Sequence, residues 1–191
     1  MPLSDASSVT IGDSLYVIGA EWAAVTRLRL PEPKIRAASA AERTHIYLVG
    51  GQQQFDDKSA SGQVWVCDVN SPSPGWSQLP PFPAGQHILS AAAVWRDGLA
   101  WAPAGELSEG RRAFWAHAAG GQILLFGGYT DAFSPAVQVY EPRTGTPRAA
   151  GRLPQGVADA KFLPIRDRWY TAGGEIGIKI RGRHTWEGVA G

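Results

Sequence analysis

The chain has 191 residues, 44% hydrophobic and 18% charged, which describes a folded globular protein with a sizeable core rather than a disordered or fibrous one. Eighteen basic against seventeen acidic residues leave a net charge of +1 with no basic cluster, which argues against nucleic acid or an anionic membrane as the main partner. A single cysteine, Cys67, excludes an internal disulfide and a cysteine-based zinc site.

Along the chain, "MPLSDASSVTIGDSLYVIGA" has no basic n-region and no long apolar h-region, and so does not read as a secretory signal. No window approaches the ~20 apolar residues of a membrane span, so a cytoplasmic location is expected. The 23 glycines and 14 prolines separate short apolar runs that are rich in β-branched and aromatic residues, and helical periodicity is missing. The expected class is all-β, in one domain over residues 1–191.

The first expected strand ends in a small-residue pair, "GDSLYVIGA" (12–20). The same word returns as "RTHIYLVGG" (43–51), "GGQILLFGG" (120–128) and "RDRWYTAGG" (166–174). Each copy is a polar turn, a few strand-forming residues and two small residues, which predicts inner strands near 15–19, 46–50, 123–127 and 169–173. After the second copy come a polar loop, the strand "QVWVCDV", Trp76 and "QLPPFP"; after the third come a loop, the strand "AVQVYEP" and a Leu-Pro exit. Cys67 lies in the alternating stretch and reads as a packed thiol. Between them, "SAAAVWRDGLAWAPAGELSEGRR" offers strands near 89–95 and 98–103 but no glycine pair.

Glycine pairs at 127 and 173 are 46 residues apart, the length of one propeller blade, whereas 50 to 127 spans 77 and 19 to 50 only 31. About four blade-like units result, two complete and two abbreviated. The order of glycine pair, loop, strand, tryptophan and Pro-rich exit resembles the Kelch repeat over most of residues 8–191. The resemblance implies a β-propeller that is small, or part of a larger ring.

Kelch propellers serve many functions, so local words must choose among them. "GELSEGRRAFWAHAAGGQILLFGGYTDA" and the opening hairpin "IGDSLYVIGAEWAAVTRLRLP" resemble the bacterial sialic-acid mutarotases, the N-acetylneuraminate epimerase family, which is often periplasmic. That family's ring is longer than this chain, and its active-site glutamate follows a glycine with an arginine six residues on. In "GGEIGIKIRGRHTWEG" (173–188), Glu175 and Arg181 fit that word. The resemblance implies a sugar isomerase needing no cofactor and no metal, with Glu175 as acid/base and Arg181 as clamp for the sugar's carboxylate. Arg183 and His184 would line the same mouth.

"GELSEGRR" is a competing word, with Glu106 followed at five and six residues by Arg111 and Arg112; it also parallels "GRLPQGV" (151–157), which makes it a blade exit. Glu175 and Arg181 are equally readable as a surface ion pair of small energetic weight. His45, His87 and His117, like His184, lack metal-ligand spacing. Copper chemistry of the galactose-oxidase type would need a Cys–Tyr crosslink and paired histidines, which a strand-borne Cys67 does not offer. The main alternative is a Kelch-type interaction module without catalysis. A shortened ring would also leave blade edges unpaired, which self-association could cover.

Overall fold

The structure, a computed structural model, describes residues 7–12, 14–18, 28–54, 57–83 and 106–189. It divides into two compact units, Met1–Ala102 and Pro103–Gly191. Among the described residues both are built from antiparallel β-sheets, without an α-helix.

In the first unit, β1 (Ser7–Ile11) and β2 (Ser14–Ile18) form a hairpin. β3 (Ala38–Glu42), β4 (His45–Val49), β5 (Val64–Asp68) and β6 (Trp76–Leu79) form a four-stranded sheet in chain order. The run "HIYLV" makes β4 a strand because alternate residues, Ile46 and Leu48, can be buried together on one face, at 2% and 1% exposure. They pack with Val9 and Ile18 of the hairpin, each such side chain contributing roughly 1.5–3 kcal/mol when fully buried. Cys67 is buried in β5, and burial, with a smaller push from the Asp68 carboxylate, raises its thiol pKa. It is the packed thiol that the alternation predicts.

In the second unit, β7 (Trp115–Ala119), β8 (Gln122–Phe126), β9 (Ala136–Glu141) and β10 (Thr146–Arg152) repeat the four-stranded plan. β11 (Leu163–Ile165) and β12 (Arg168–Ala172) follow, then the short hairpin β13 (Glu175–Gly177) and β14 (Ile180–Arg181), then β15 (Thr185–Val189), which joins β12 in a three-stranded sheet. The core gathers Phe126, Val157, Ala160 and Phe162, with Trp169, Ile176 and Trp186 packed on it. Phe126 stacks on Phe162 at 4.5 Å between ring centroids.

The strands expected before each small-residue pair are β2, β4, β8 and β12, each one residue earlier than predicted because the glycines lie outside the ladder. In the two complete sheets, the strand before the pair is second in order; an Ala-rich strand, β3 or β7, lies outside it. The expected strands near 89–95 and 98–103, the pair at 19–20 and His87 lie outside the described residues.

The repeat holds residue by residue in backbone conformation. Shifting by 77 carries the Arg36 turn (φ 56°) onto Ala113 (φ 54°), and the Gly50–Gly51 pair onto Gly127–Gly128. A further shift of 46 reaches Asp159 (φ 52°) and Gly173–Gly174. The residue after each pair bridges back to the residue before each turn: Gln52 to Ile35, Tyr129 to Arg112 and Glu175 to Ala158. At Gly174 (φ 85°) a Cβ would stand 2.5 Å from Val157 Cγ2 and 2.8 Å from Ala160 Cβ, so glycine is required for both conformation and space.

Candidate functional site

Glu175 owes its place to this repeat. Its N–H donates to the Ala158 carbonyl and its carbonyl accepts from the Ala158 N–H, both at 2.8 Å. The chain then turns through Ile178 and Lys179 (φ 59°) and returns as β14, which sets Arg181 directly opposite Glu175. Ile176 points the other way and packs on the aromatic core, anchoring the hairpin.

One carboxylate oxygen closes the turn. Glu175 Oε1 accepts from the Lys179 N–H at 2.8 Å and meets Arg181 Nη1 at 2.8 Å. The Glu175 side chain is 19% exposed and that of Arg181 71%. The pair that the sequence singles out is therefore assembled, as a cross-strand ion pair on a hairpin. Such a pair contributes roughly 0.2–1 kcal/mol. Glu175 Oε2 and the remaining guanidinium donors have no partner among the described residues. A carboxylate held by one oxygen, beside a solvent-facing guanidinium, can accept a proton and bind an anion on the same hairpin.

Arg183 and His184 follow β14 and are exposed. The His184 carbonyl accepts from the Gly173 N–H at 3.0 Å, and its ring stacks on Trp186 at 6.2 Å. His117 is the more buried histidine: it meets the Trp169 ring edge-on at 5.0 Å, and burial lowers its pKa. His45 lies beside Tyr47 at the β3–β4 hairpin.

The competing word divides between two roles. Glu106 is exposed. The Arg111 side chain is only 1% exposed; its Nη2 meets Glu109 at 2.6 Å and its Nη1 donates to the Gly127 carbonyl at 3.2 Å. Arg111 thus ties the chain ahead of β7 to the glycine pair after β8. Arg112 is exposed, with its guanidinium 4.9 Å from the centre of the Tyr129 ring and no carboxylate partner among the described residues. Tyr129 in turn packs on Phe133 at 4.9 Å.

Sequence reasoning missed Lys161, whose Nζ lies 4.8 Å from the Trp115 ring centre and whose pKa burial lowers to about 8. A lysine between core-forming Ala160 and Phe162 was the available signal. Among the described residues no three His, Cys, Asp or Glu side chains converge as a metal site would need.

No family model matches the sequence, and no curated protein matches it. The backbone is similar to a solved structure of YjhT, with a TM-score of 0.41 and 14% identity over 81% of this chain and 42% of that one. The chain thus spans less than half the length of that protein, and at this distance the likeness carries no residue role across.

Proposed function

We propose that this chain is a Kelch-type β-propeller unit that interconverts the anomers of a sialic acid, N-acetylneuraminate, through Glu175 and Arg181. The observation that carries the reading is the Glu175–Arg181 contact of 2.8 Å on a hairpin directly after a glycine pair, with the second carboxylate oxygen left open. In mutarotation a base removes the anomeric hydroxyl proton, a proton donor protonates the ring oxygen, and the ring C–O bond breaks. Closure on the other face reverses the transfers. Glu175 Oε2 would take the anomeric proton, a role worth roughly 10²–10⁴-fold in rate. The exposed edge of Arg181 would hold the sugar carboxylate as a planar fork. The chemistry is proton transfer coupled to opening and re-closing of the ring C–O bond, and needs no cofactor. NMR exchange between the α and β anomers tests it: the protein should exceed the spontaneous rate at neutral pH, and no acceleration overturns the reading.

A second reading, a binding module without catalysis, is favoured by the tip of the same hairpin. Ile178 and Ile180 are 72% and 58% exposed there, an apolar tip of the kind that meets a protein surface. In that case Glu175 and Arg181 serve only to clip the hairpin shut. Charge reversal at the pair would then leave anomer exchange at the spontaneous rate and alter binding to the partner instead.

A further inference from the structure

The chain holds four lysines, and one of them stands in a different setting from the rest. Lys34 is buried and paired with Glu32 at 2.8 Å and Gln63 at 2.9 Å. Lys58 and Lys179 are exposed. Lys161 is half-buried, and among the described residues no carboxylate meets it. Its neighbours Ala160 and Phe162 are fixed in the core at 6% and 3% exposure, which anchors the segment that carries it.

Lys161 Nζ lies 4.8 Å from the centre of the Trp115 ring. Trp115 and His117 share one face of β7, where Trp169 meets His117 at 5.0 Å and Phe126 at 5.0 Å. The amine thus stands at an aromatic wall in place of a counter-ion. Burial alone brings its pKa to about 8, and burial also holds His117 toward its neutral form. A second observation points to a ligand. The Trp115 Nε1–H is buried and has no acceptor among the described residues, whereas a buried indole donor ordinarily finds one.

We propose that Lys161 is a covalent site for a small aldehyde with a flat apolar body, held as an imine against the Trp115 wall. The unprotonated Nζ adds its lone pair to the carbonyl carbon while the C=O π pair moves to oxygen. The Trp115 Nε1–H donates to that oxygen, and the aromatic wall gives the body of the aldehyde a flat face. Proton transfer from nitrogen to oxygen gives a carbinolamine. Loss of the oxygen as water leaves the C=N bond, so amine and aldehyde become imine and water with no change of oxidation state. Neither Glu175 nor Arg181 takes part.

Labelling of the intact chain with benzaldehyde and cyanoborohydride, which reduces the imine to a stable secondary amine, tests this when the sites are mapped by peptide mass spectrometry. Lys58 and Lys179 are internal controls. At pH 7 a pKa of about 8 gives Lys161 roughly 10²-fold more neutral amine than an ordinary lysine. Even half-shielded, it should be labelled at least about tenfold faster than either control, with a rate that saturates as benzaldehyde increases. The advantage should vanish in guanidinium chloride, where all the lysines are equally open. Trp115→Phe keeps a ring beneath the amine and removes the donor, and should slow labelling by roughly 2–10-fold, the weight of one neutral hydrogen bond. Folded-state labelling of Lys161 no faster than that of Lys58 and Lys179 overturns the proposal. So does a rate that never saturates, or one unchanged in Trp115→Phe.

Discussion

Lys34 and Arg111 occupy the same place ahead of the two four-stranded sheets, 77 residues apart. Each side chain is 1% exposed, and each pairs with a carboxylate two residues earlier: Lys34 Nζ with Glu32 at 2.8 Å, Arg111 Nη2 with Glu109 at 2.6 Å. The next equivalent position, 46 residues on, is Val157, an apolar side chain 1% exposed. The site is therefore a slot that an apolar residue can also fill. Lys34 gains a second acceptor from Gln63 Oε1 at 2.9 Å, which completes its pairing. We expect Glu32→Ala, which leaves a buried ammonium with one acceptor fewer, to cost about 1–3 kcal/mol. Lys34→Met, which removes the buried charge itself, should cost less. Urea unfolding of the two variants decides the order; a larger loss in Lys34→Met would mean that the ion pair, and not the filled slot, holds this segment.

The glycine pairs make a sharper comparison. At Gly120 (φ 58°), in the β7–β8 turn, an added Cβ would meet nothing within 4 Å, whereas at Gly174 (φ 85°) it would meet Val157 and Ala160 at 2.5 and 2.8 Å. Gly120→Ala should cost about 1–2 kcal/mol, the left-handed backbone penalty alone. Gly174→Ala adds overpacking of about 1–3 kcal/mol. Equal losses in denaturant unfolding would show that the close approach at Gly174 relaxes freely.

Lys161 gives a pH dependence of known sign. Its folded pKa, about 8, lies below the ordinary 10.5 because burial disfavours the charged amine. Below pH 8 the lysine is charged in both states and the penalty is fully present. Between about pH 8 and 10.5 the unfolded chain holds a proton that the folded chain has released, so stability rises with pH. Lys161→Met should therefore be more stable than wild type at pH 7, by roughly 1–3 kcal/mol at 1.36 kcal/mol per pKa unit, less what the Trp115 face returns. The gap should close by about pH 10.5. A gap that stays constant from pH 7 to 10.5 would rule out the buried charge as its origin.

The hairpin pair separates two kinetic effects. Glu175→Gln keeps the shape and removes the base, so anomer exchange should fall by roughly 10²-fold or more with modest change in sugar binding. Arg181→Lys keeps charge but loses the fork, so binding should weaken first. If Glu175→Gln keeps full activity and Glu106→Gln loses it, the acid/base group is Glu106, on the other word.

The all-β class, the four strands β2, β4, β8 and β12, and the Glu175–Arg181 pair were legible in the residues alone. A turn, an alternating run and two glycines are local signals, and six residues through a tight turn bring two side chains face to face. β3 and β7 were not legible, because "ASAAE" and "WAHAA" carry no strand preference and become strands only by pairing with β4 and β8. The Glu32–Lys34 pair was legible in principle, since Leu-x-Glu-x-Lys/Arg occurs at 30–34 and 107–111, yet a charged word at that spacing reads as surface. That Lys34 and Arg111 are buried while Arg181 faces solvent follows from packing and not from local sequence. Burial is set by what packs over a residue, and here that covering comes from segments distant in the chain, such as Gln63 over Lys34 and Gly127 over Arg111.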